Sequence, residues 1–475
     1  MRLRVLFGMI LLAQAAWAGA AARPDQWFED VKKTATPQQL YTFLYALPKA
    51  GDLHDHLSGA ARSEWMWDAA LAQEQRGYTY YTKVAIHNCV PYGSNEYGAA
   101  PYLLLFRNLT AANYQKLGEC ERSEYKRLQD LDAREKAGWL NSLRLDQPYE
   151  GRNEFFGAHW QRLNDLFVNP YWTAETMYQI MEAFGKEGVV YLELQSPLEG
   201  YQKPDGTPLS LDEAAVIFRA RLAAADARAT GVEVRFQETI LRFAPNAEDQ
   251  LKRAYAIVDH YRDIYVGVNM VGREDDDKGY PLRFLPTLRA LRHQYPDIHL
   301  SIHAGEVDEP NFHVRDTLLL GAERIGHGVN LITDPETMVL MRNGPYMVEI
   351  NLISNLLLEY VKDYSQHPFP EYLRIGIPVA LSTDDRGMWD SNMTDEYFVA
   401  VKEFNLSWGE MVQLGRNSLL HAFVDDATKQ KLLASYEKRV ATFAEQFQKS
   451  GWSSLKGTKP VTYTFICKHY SICLQ

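Results

Sequence analysis

The stretch His299-Leu-Ser-Ile-His-Ala-Gly-Glu306 is an apolar run that ends in residues able to do chemistry. A helix-like segment, Val314–Gly321, follows it and leads into a second run of the same kind, Arg324-Ile-Gly-His-Gly-Val329. A strand, a helix and a second strand in this order are typical of a βαβ unit. This unit predicts parallel strands covered by helices.

The same alternation extends through most of the chain. Eight segments are predicted to be strands: Gly51–Leu57, Val189–Gln195, Val232–Leu241, Tyr265–Gly272, His299–Glu306, Arg324–Val329, Tyr346–Asn355 and Pro378–Asp385. The helices expected between them include Leu211–Thr230, Ala247–Tyr261, Pro286–Tyr295 and Val314–Gly321. Eight such strands favour an α/β fold of the closed (β/α)8 TIM barrel type. A doubly wound open sheet is the alternative, although the sequence lacks a G-x-G-x-x-G turn.

The interval between the first and second strands is unusually long. It spans residues 58–188, against the ~30 residues of a single βα unit. It contains a Tyr-, Gly- and Asn-rich stretch and two cysteines, and we interpret residues 76–124 as an inserted subdomain. Ser123–Gly138 is expected to be a helix that leads back to the barrel. The tail after Gly451 is expected to form a short C-terminal extension.

The N-terminus has the features of a signal peptide. Arg2 and Arg4 precede an apolar run that is shorter than the ~20 residues of a membrane span, and Ala16-Trp-Ala18 fits a cleavage site. A membrane anchor or a buried helix is the alternative. We therefore expect residues 1–18 to be removed and residues 19–475 to form a secreted or periplasmic protein, since no later segment is long and apolar enough to span a bilayer.

The expected export bears on the state of the four cysteines. In an oxidising compartment an even number of cysteines indicates disulfides. The pairing that is local in sequence joins Cys89 to Cys120 and Cys467 to Cys473, but four cysteines allow three pairings and all three stay open.

Composition excludes several classes of protein. Of the 475 residues, 46% are hydrophobic and 23% are charged, which excludes a disordered, collagen-like or coiled-coil chain. The formal charge is −11, from 50 basic and 61 acidic residues. An acidic protein repels phosphate backbones, so we expect no nucleic-acid partner. The oligomeric state is left open.

Four small polar clusters lie at predicted carboxyl ends of strands, where this architecture builds active sites. The first is His54-Asp-His56. Side chains two apart in a strand point to the same face, so both imidazoles can reach one metal ion. Two unrelated histidines near a loop are the alternative.

The other three clusters are His303 with Glu306, His327 between two glycines, and Asp384 with Asp385. Each has a structural alternative: a strand-end turn with a solvated acid, a turn histidine, and acids that cap the next helix. Together, the histidine pair, a third histidine and an aspartate offer nitrogen and oxygen ligands with an open position for water. That set suits Zn²⁺ better than Ca²⁺ or Mg²⁺ and indicates a zinc hydrolase.

Four motifs carry a resemblance to a known family: Leu47-Pro-Lys-Ala-Gly-Asp-Leu-His-Asp-His56, Ser301-Ile-His-Ala-Gly-Glu306, Arg324-Ile-Gly-His-Gly-Val329 and Ser382-Thr-Asp-Asp385. They resemble, in the same order, the motifs of the adenosine deaminase family. Asn351-Leu-Ile-Ser-Asn355, followed by His367-Pro368, is similar to that family's seventh-strand segment. The resemblance covers residues 47–423. The leader, the cysteine-containing insertion and the Leu-Pro-Lys lead-in resemble its secreted, growth-factor-related branch.

The resemblance implies an enzyme, an adenosine deaminase, that uses one Zn²⁺ per chain. It implies zinc-dependent hydrolytic deamination of adenosine, and of 2′-deoxyadenosine, to the inosine product and ammonia. The family's metal ligands match His54, His56, His303 and Asp384. Its acid that protonates ring N1 matches Glu306, and its group that takes a proton from the attacking water and orients it matches His327. Its purine contacts to N7 and N3 match Asp385 and the backbone of Gly272.

Ser58 departs from the family pattern, because an aspartate that helps to bind the sugar usually stands there. A serine keeps a hydroxyl but loses the charge. A free nucleoside, a modified nucleoside and a nucleotide therefore all stay open as substrates, with Arg62 as a local cation for a phosphate. Two further alternatives are an amidohydrolase acting on another purine and a signalling or binding protein built on a deaminase scaffold.

Overall fold

The computed structural model describes residues 25–89 and 103–474. Eight parallel strands lie side by side in chain order, with three short strands between the first and second of them. Numbered along the chain, the eight are β1 Gly51–His56, β5 Tyr191–Gln195, β6 Glu233–Leu241, β7 Tyr265–Val271, β8 His299–Ala304, β9 Arg324–His327, β10 Met347–Ile350 and β11 Val379–Leu381. The predicted TIM barrel is thereby confirmed.

The barrel closes between its first and last strands. A parallel bridge joins Asp55 just inside the end of β1 to Asp384 just beyond β11. The pairing of β5 with β6 is regular, with Glu193 opposite Arg235, whereas the register shifts between Asp52 and Asp55 of β1 and between Phe236 and Gln237 of β6. Each strand therefore delivers its carboxyl end to one rim of the barrel, where the candidate site lies.

The three intervening strands form a separate antiparallel sheet that covers the predicted insertion and extends just beyond it. They are β2 Tyr80–Lys83, β3 Asn108–Thr110 and β4 Tyr125–Arg127, with β2 in the centre. A disulfide joins Cys89 to Cys120, and a second joins Cys467 to Cys473 in the C-terminal extension. The pairing local in sequence is the one adopted. The insertion sheet runs past residue 124, and the predicted boundary of 76–124 stays a prediction.

Helices pack around the barrel and form its N- and C-terminal flanks. Their bounds are Gln26–Thr34, Pro37–Ala46, Leu57–Ala60, Ser63–Ala72, Ala111–Tyr114, Glu119–Arg122, Ala133–Asn141, Arg152–Glu154, Trp160–Leu163, Pro170–Lys186, Leu211–Leu222, Ala225–Ala229, Ala247–His260, Leu285–Gln294, His313–Leu320, Pro335–Asn343, Leu352–Leu357, Phe369–Ile375, Met393–Phe404, Trp408–Leu420, Asp426–Ser450 and Thr464–Tyr470, with a π-helical turn at Phe155–His159. No helix among the described residues combines the length and the apolarity that crossing a bilayer requires. The predicted signal peptide, residues 1–18, lies outside the described residues.

Three predicted elements differ from the structure. The run Tyr346–Asn355 is a strand only as far as Ile350, and its second half is a helix, because buried Glu396 accepts the backbone N–H groups of Leu352 and Ile353. Ser123–Gly138 was expected to be one helix, but its first part pairs with the insertion sheet as β4. The expected helix Leu211–Thr230 is interrupted after Leu222.

Candidate active site

Three histidines and an aspartate converge at the carboxyl-end rim of the barrel. His54 and His56 come from β1, His303 from β8, and Asp384 follows β11. Each side chain except that of His56 is almost completely buried. The four residues predicted from the sequence to form one cluster are therefore close together in the folded structure.

The donor atoms of these four residues have the spacing of a tetrahedral metal shell. Nε2 of His56 lies 3.2 Å from Nε2 of His303 and 3.3 Å from Oδ1 of Asp384, and Nε2 of His54 lies 3.6 Å from the same oxygen. Bonds of about 2.0–2.1 Å in a tetrahedral shell separate neighbouring donors by about 3.3 Å. Nε2 of His54 is buried and accepts no hydrogen bond from the described residues. The set fits a tetrahedrally bound divalent ion.

The other ring nitrogen of two of these histidines is held by a buried acceptor. Nδ1 of His54 lies 2.7 Å from Glu349, whose carboxylate is paired with Arg324. Nδ1 of His303 lies 3.1 Å from Oδ1 of Asn269. Because Nδ1 donates in both rings, Nε2 carries the lone pair that a metal needs. Glu349 and Asn269 support the candidate site and were not predicted from the sequence. Each is a single polar residue in an otherwise apolar strand, and this was the feature of the sequence that could have indicated it.

Asp384 is set in place by the backbone. Its φ is +55°, a left-handed conformation that an aspartate tolerates better than most residues. Its N–H donates to the carbonyl oxygen of His54 at 2.9 Å, and the preceding Thr383 donates its N–H and hydroxyl to buried Asp52. These bonds fasten the end of β11 to β1 and aim the carboxylate at the histidines.

Glu306 lies beside this cluster, two residues beyond the end of β8. Burial raises the pKa of its carboxyl group well above the usual value, and the negative charges of Asp384 and Glu274 add to the shift. The carboxylate of Glu274 also accepts the backbone N–H groups of Gly305 and Glu306 at 3.1 Å each, which fixes the direction of the Glu306 segment. Glu306 is thus a rigidly held carboxyl group whose raised pKa favours its protonated form.

His327 ends β9 with a φ of +69° and is 1% exposed. Its Nε2 lies 3.8 Å from Oε1 of Glu306 and has no hydrogen-bond partner among the described residues. Its Nδ1 faces the side-chain amides of Asn351 and Asn355 at 3.2 and 3.0 Å. Both asparagines belong to the segment that the sequence analysis singled out without giving it a role.

Asp385 and Gly272 line the cavity above this cluster, and Ser58 does not. Burial, followed by the charge of Asp384, raises the pKa of Asp385 well above its usual range. The residue next to Ser58, Gly59, is pressed against Asp385, since a Cβ there would stand 1.6 Å from Oδ1. The half-buried Ser58 follows β1 in a short helix.

The cavity has a volume of about 500 Å³. Its floor is formed by His56, His303, Glu306, Asp384 and Asp385. An aromatic wall rises from the floor, and its members are Phe155, Phe156, Trp160, Phe167 and Phe243. Four of them belong to the segment 155–167, which includes the π-helical turn. This wall was not predicted from the sequence, because the segment lies between predicted elements and carries no motif.

Two cations stand at the cavity, and each is paired with an acid. Arg273 contacts both carboxylate oxygens of Asp275, at 2.5 and 2.6 Å, and Lys278 lies 3.2 Å from Asp276. Arg62 does not line the cavity. It pairs with Asp390 and stacks on Tyr463 at 4.1 Å. The local positive charge is therefore largely neutralised by the protein itself.

A TIM barrel whose strand ends present three histidines, an aspartate and a buried acid has the architecture of a metal-dependent amidohydrolase. The fold is shared with a zinc-bound amidohydrolase from Burkholderia ambifaria, with a TM-score of 0.62, 19% identity, and coverage of 87% of this chain and 95% of that one. The adenosine deaminase family model matches residues 153–439, more than half of the chain. The chain belongs to the adenosine deaminase family.

Curated relatives agree with this assignment. The chain is 31% identical over 269 residues to an adenosine deaminase of Vibrio vulnificus, covering 55% of this chain and 78% of the relative. It is 28% identical over 266 residues to an adenosine deaminase of Enterococcus faecalis, covering 55% of this chain and 75% of the relative. An adenine deaminase of Chelativorans is 30% identical over 213 residues, covering 43% of this chain and 62% of the relative. The expected deaminase family is confirmed.

Proposed function

We propose that this protein catalyses the zinc-dependent hydrolytic deamination of adenosine and 2′-deoxyadenosine, releasing ammonia and the corresponding inosine. The observation that carries the proposal is the convergence of His54, His56, His303 and Asp384 beside buried Glu306, whose pKa is raised. Hydrolysis of an aromatic amine requires a water made nucleophilic and an acid that protonates the ring, and this site has a group for each task.

The four donors would hold Zn²⁺, whose preferred ligands are imidazole nitrogen and carboxylate oxygen in a tetrahedral shell. The bound ion would supply the Lewis acidity that makes water a nucleophile near neutral pH. Glu349 and Asn269 support this role, because they bind Nδ1 of His54 and of His303 and so leave Nε2 of each ring available to the ion.

Glu306 would donate its proton to N1 of the purine. A proton on N1 draws electron density from C6, so water adds there. One proton of this water would pass to the amino group, which leaves as ammonia, and the other would restore the carboxyl group of Glu306. The raised pKa is what this task demands, since an ionised carboxylate has no proton to give. Asp385, whose pKa is also raised by burial, would donate to N7, and the backbone N–H of Gly272 would face N3.

The cavity supports a nucleoside as the substrate. A volume of about 500 Å³ leaves room for a sugar beyond a purine seated on the acidic floor. Arg273 and Lys278 are already paired with Asp275 and Asp276, so a 5′-phosphate would meet no free cation there. Adenine alone would leave the aromatic wall uncovered. These features favour adenosine over both AMP and adenine.

We also propose that the protein acts after export. The two disulfides support this proposal, because such bonds persist in oxidising compartments.

The experiment is the change in ultraviolet absorbance when the purified protein meets adenosine, 2′-deoxyadenosine, adenine and AMP in parallel. We expect turnover of the two nucleosides, loss of turnover with a chelator, and its return with Zn²⁺. Turnover of AMP or adenine alone would contradict the nucleoside assignment. No turnover of any of the four by zinc-loaded protein would overturn the proposed reaction.

A further inference from the structure

The direction of the hydrogen bonds around His327 can be read from the protein backbone. Phe369 donates its backbone N–H to Nδ1 of His367 at 3.1 Å. A backbone N–H can only donate, so Nδ1 of His367 carries no proton. The proton of the neutral His367 ring is therefore on Nε2, which donates to Oδ1 of Asn355 at 3.0 Å.

The orientation of the Asn355 amide follows from that bond. Its oxygen accepts from His367, so its nitrogen is the atom that faces His327, and this nitrogen donates to Nδ1 of His327 at 3.0 Å. Asn351 directs its amide nitrogen to the same atom at 3.2 Å. We call the path from Phe369 through His367 and Asn355 the His367–Asn355 relay.

We propose that the His367–Asn355 relay holds His327 as the tautomer with its proton on Nε2, so that His327 donates a hydrogen bond into the active site. Nδ1 of His327 accepts amide protons and holds none of its own, which leaves Nε2 as the protonated atom. His367 and Asn355 are positioning residues, since they act on the reacting molecules only through His327.

The surroundings of Nε2 agree with this assignment. A buried N–H group requires an acceptor, and Nε2 of His327 has none among the described residues. It faces the space between Glu306 and the donor cluster, with Oε1 of Glu306 at 3.8 Å. This step rests on the proposed function: the acceptor of the Nε2–H of His327 is the oxygen of the attacking water. His327 then has the orienting role that the family resemblance implies, and not the proton-accepting one.

The relay is built into rigid parts of the barrel. Asn355 lies in the helix Leu352–Leu357, whose first N–H groups are bound by buried Glu396. His367 is 3% exposed and stands directly before Pro368 at the start of the helix Phe369–Ile375. Burial also lowers the pKa of His367 to about 3, so it stays neutral across the working range of pH.

The test reads the tautomer directly by ¹⁵N NMR of histidine-labelled, zinc-loaded protein without substrate. The His327 resonances are assigned by their loss in His327→Gln. We expect the proton of His327 on Nε2 in the unaltered protein. In Asn355→Asp, a carboxylate of the same shape accepts from both rings, so we expect the proton to move to Nδ1.

Kinetics then connect the tautomer to the reaction. We expect Asn355→Asp to lower kcat at least ~10-fold with little change in KM and with full zinc content, because only the donor at Nε2 is lost. His367→Gln keeps an amide that can donate to Asn355 and should retain the Nε2 tautomer and most of the activity. His367→Phe removes the donor and should yield a mixture of tautomers, and it serves if Asn355→Asp does not fold.

A proton on Nδ1 of His327 in the unaltered protein would overturn the inference, and so would an unchanged tautomer in Asn355→Asp and His367→Phe. These outcomes are separate from the proposed function, because the NMR measurement needs no turnover. A protein that shows the Nε2 tautomer but deaminates none of the four purines would contradict the proposed function alone.

Discussion

Asp384 donates its backbone N–H to the carbonyl oxygen of His54 at 2.9 Å, and its carboxylate lies 3.6 Å from Nε2 of the same histidine. His54 lies in the first strand of the barrel and Asp384 lies just beyond the last one. The two residues whose backbones bond where the barrel closes are therefore also two of the residues that would share the metal. Metal binding and barrel closure are therefore expected to stabilise each other.

Removal of the metal should destabilise the whole fold. A metal present at a hundredfold excess over its dissociation constant contributes about 2.7 kcal/mol to the free energy of unfolding. Urea unfolding of the protein with and without a chelator measures this contribution. Added Zn²⁺ should restore the original midpoint, and an unchanged midpoint after verified metal loss would contradict the coupling.

His303→Ala should abolish most metal binding, since three donors hold the ion far less well than four. Metal analysis of the purified variant is the measurement. His293→Ala, in an exposed position on the helix Leu285–Gln294, is the matched control and should keep full occupancy. Full occupancy in His303→Ala would reject this residue as a ligand.

Glu306→Gln should retain the metal and lose turnover by at least ~10²-fold, because the amide cannot supply the proton that N1 requires. Steady-state kinetics on adenosine, combined with metal analysis, separate the two effects. Glu336→Gln makes the same change at an exposed site and should behave like the unaltered protein. Near-normal turnover of Glu306→Gln would mean that another group protonates the ring.

Acid should destabilise the protein partly through His367. Burial lowers its pKa to about 3 in the folded state, against about 6.5 in an unfolded chain. The unfolded chain therefore takes up a proton first, and stability that is complete above pH 6.5 is lost as the pH falls toward 3. At pH 5 the loss from this residue is about 2 kcal/mol.

The check is the difference in the free energy of unfolding between pH 7 and pH 5, measured for the unaltered protein and for His367→Gln. The variant has no ring to protonate, so its difference should be smaller by about 2 kcal/mol. The same comparison with the exposed His293→Gln should show no such change. Equal pH dependence in all three proteins would refute the assignment.

The Cys89–Cys120 disulfide should stabilise the insertion more than the Cys467–Cys473 disulfide stabilises the tail. The first closes a loop of 31 residues and the second a loop of 6. Chain entropy assigns them about 4 and about 2 kcal/mol. In paired Cys→Ser variants, hydrogen exchange should rise in β2, β3 and β4 only when the first bond is absent. Equal exchange in both variants would contradict this.

The sequence predicted the barrel and the residues at its rim because strand ends carry short, regular signals. Residues two apart in β1 share a face, and apolar runs end where polar clusters begin. It failed where a distant residue decides the local structure. The helix that carries Asn355 exists because Glu396 binds its first N–H groups, and no pattern within residues 351–357 records that contact.

The residues that support the site could not be predicted from the sequence, because their partners are also distant along the chain. Glu349 and Asn269 are single polar residues in otherwise apolar strands, and their partners, His54 and His303, lie on other strands. Pairing them requires the strand order and register of the closed barrel. The aromatic wall of segment 155–167 likewise acquires its role only when that segment lies over the rim.

The family match begins at residue 153, although two of the four donors, His54 and His56, precede it. During synthesis these two histidines leave the ribosome first and Asp384 leaves among the last residues of the barrel. A nascent chain that has not yet reached Asp384 therefore cannot assemble the four donors. A metal held by all four donors would consequently be acquired late in biogenesis, after translation has passed the eighth barrel strand.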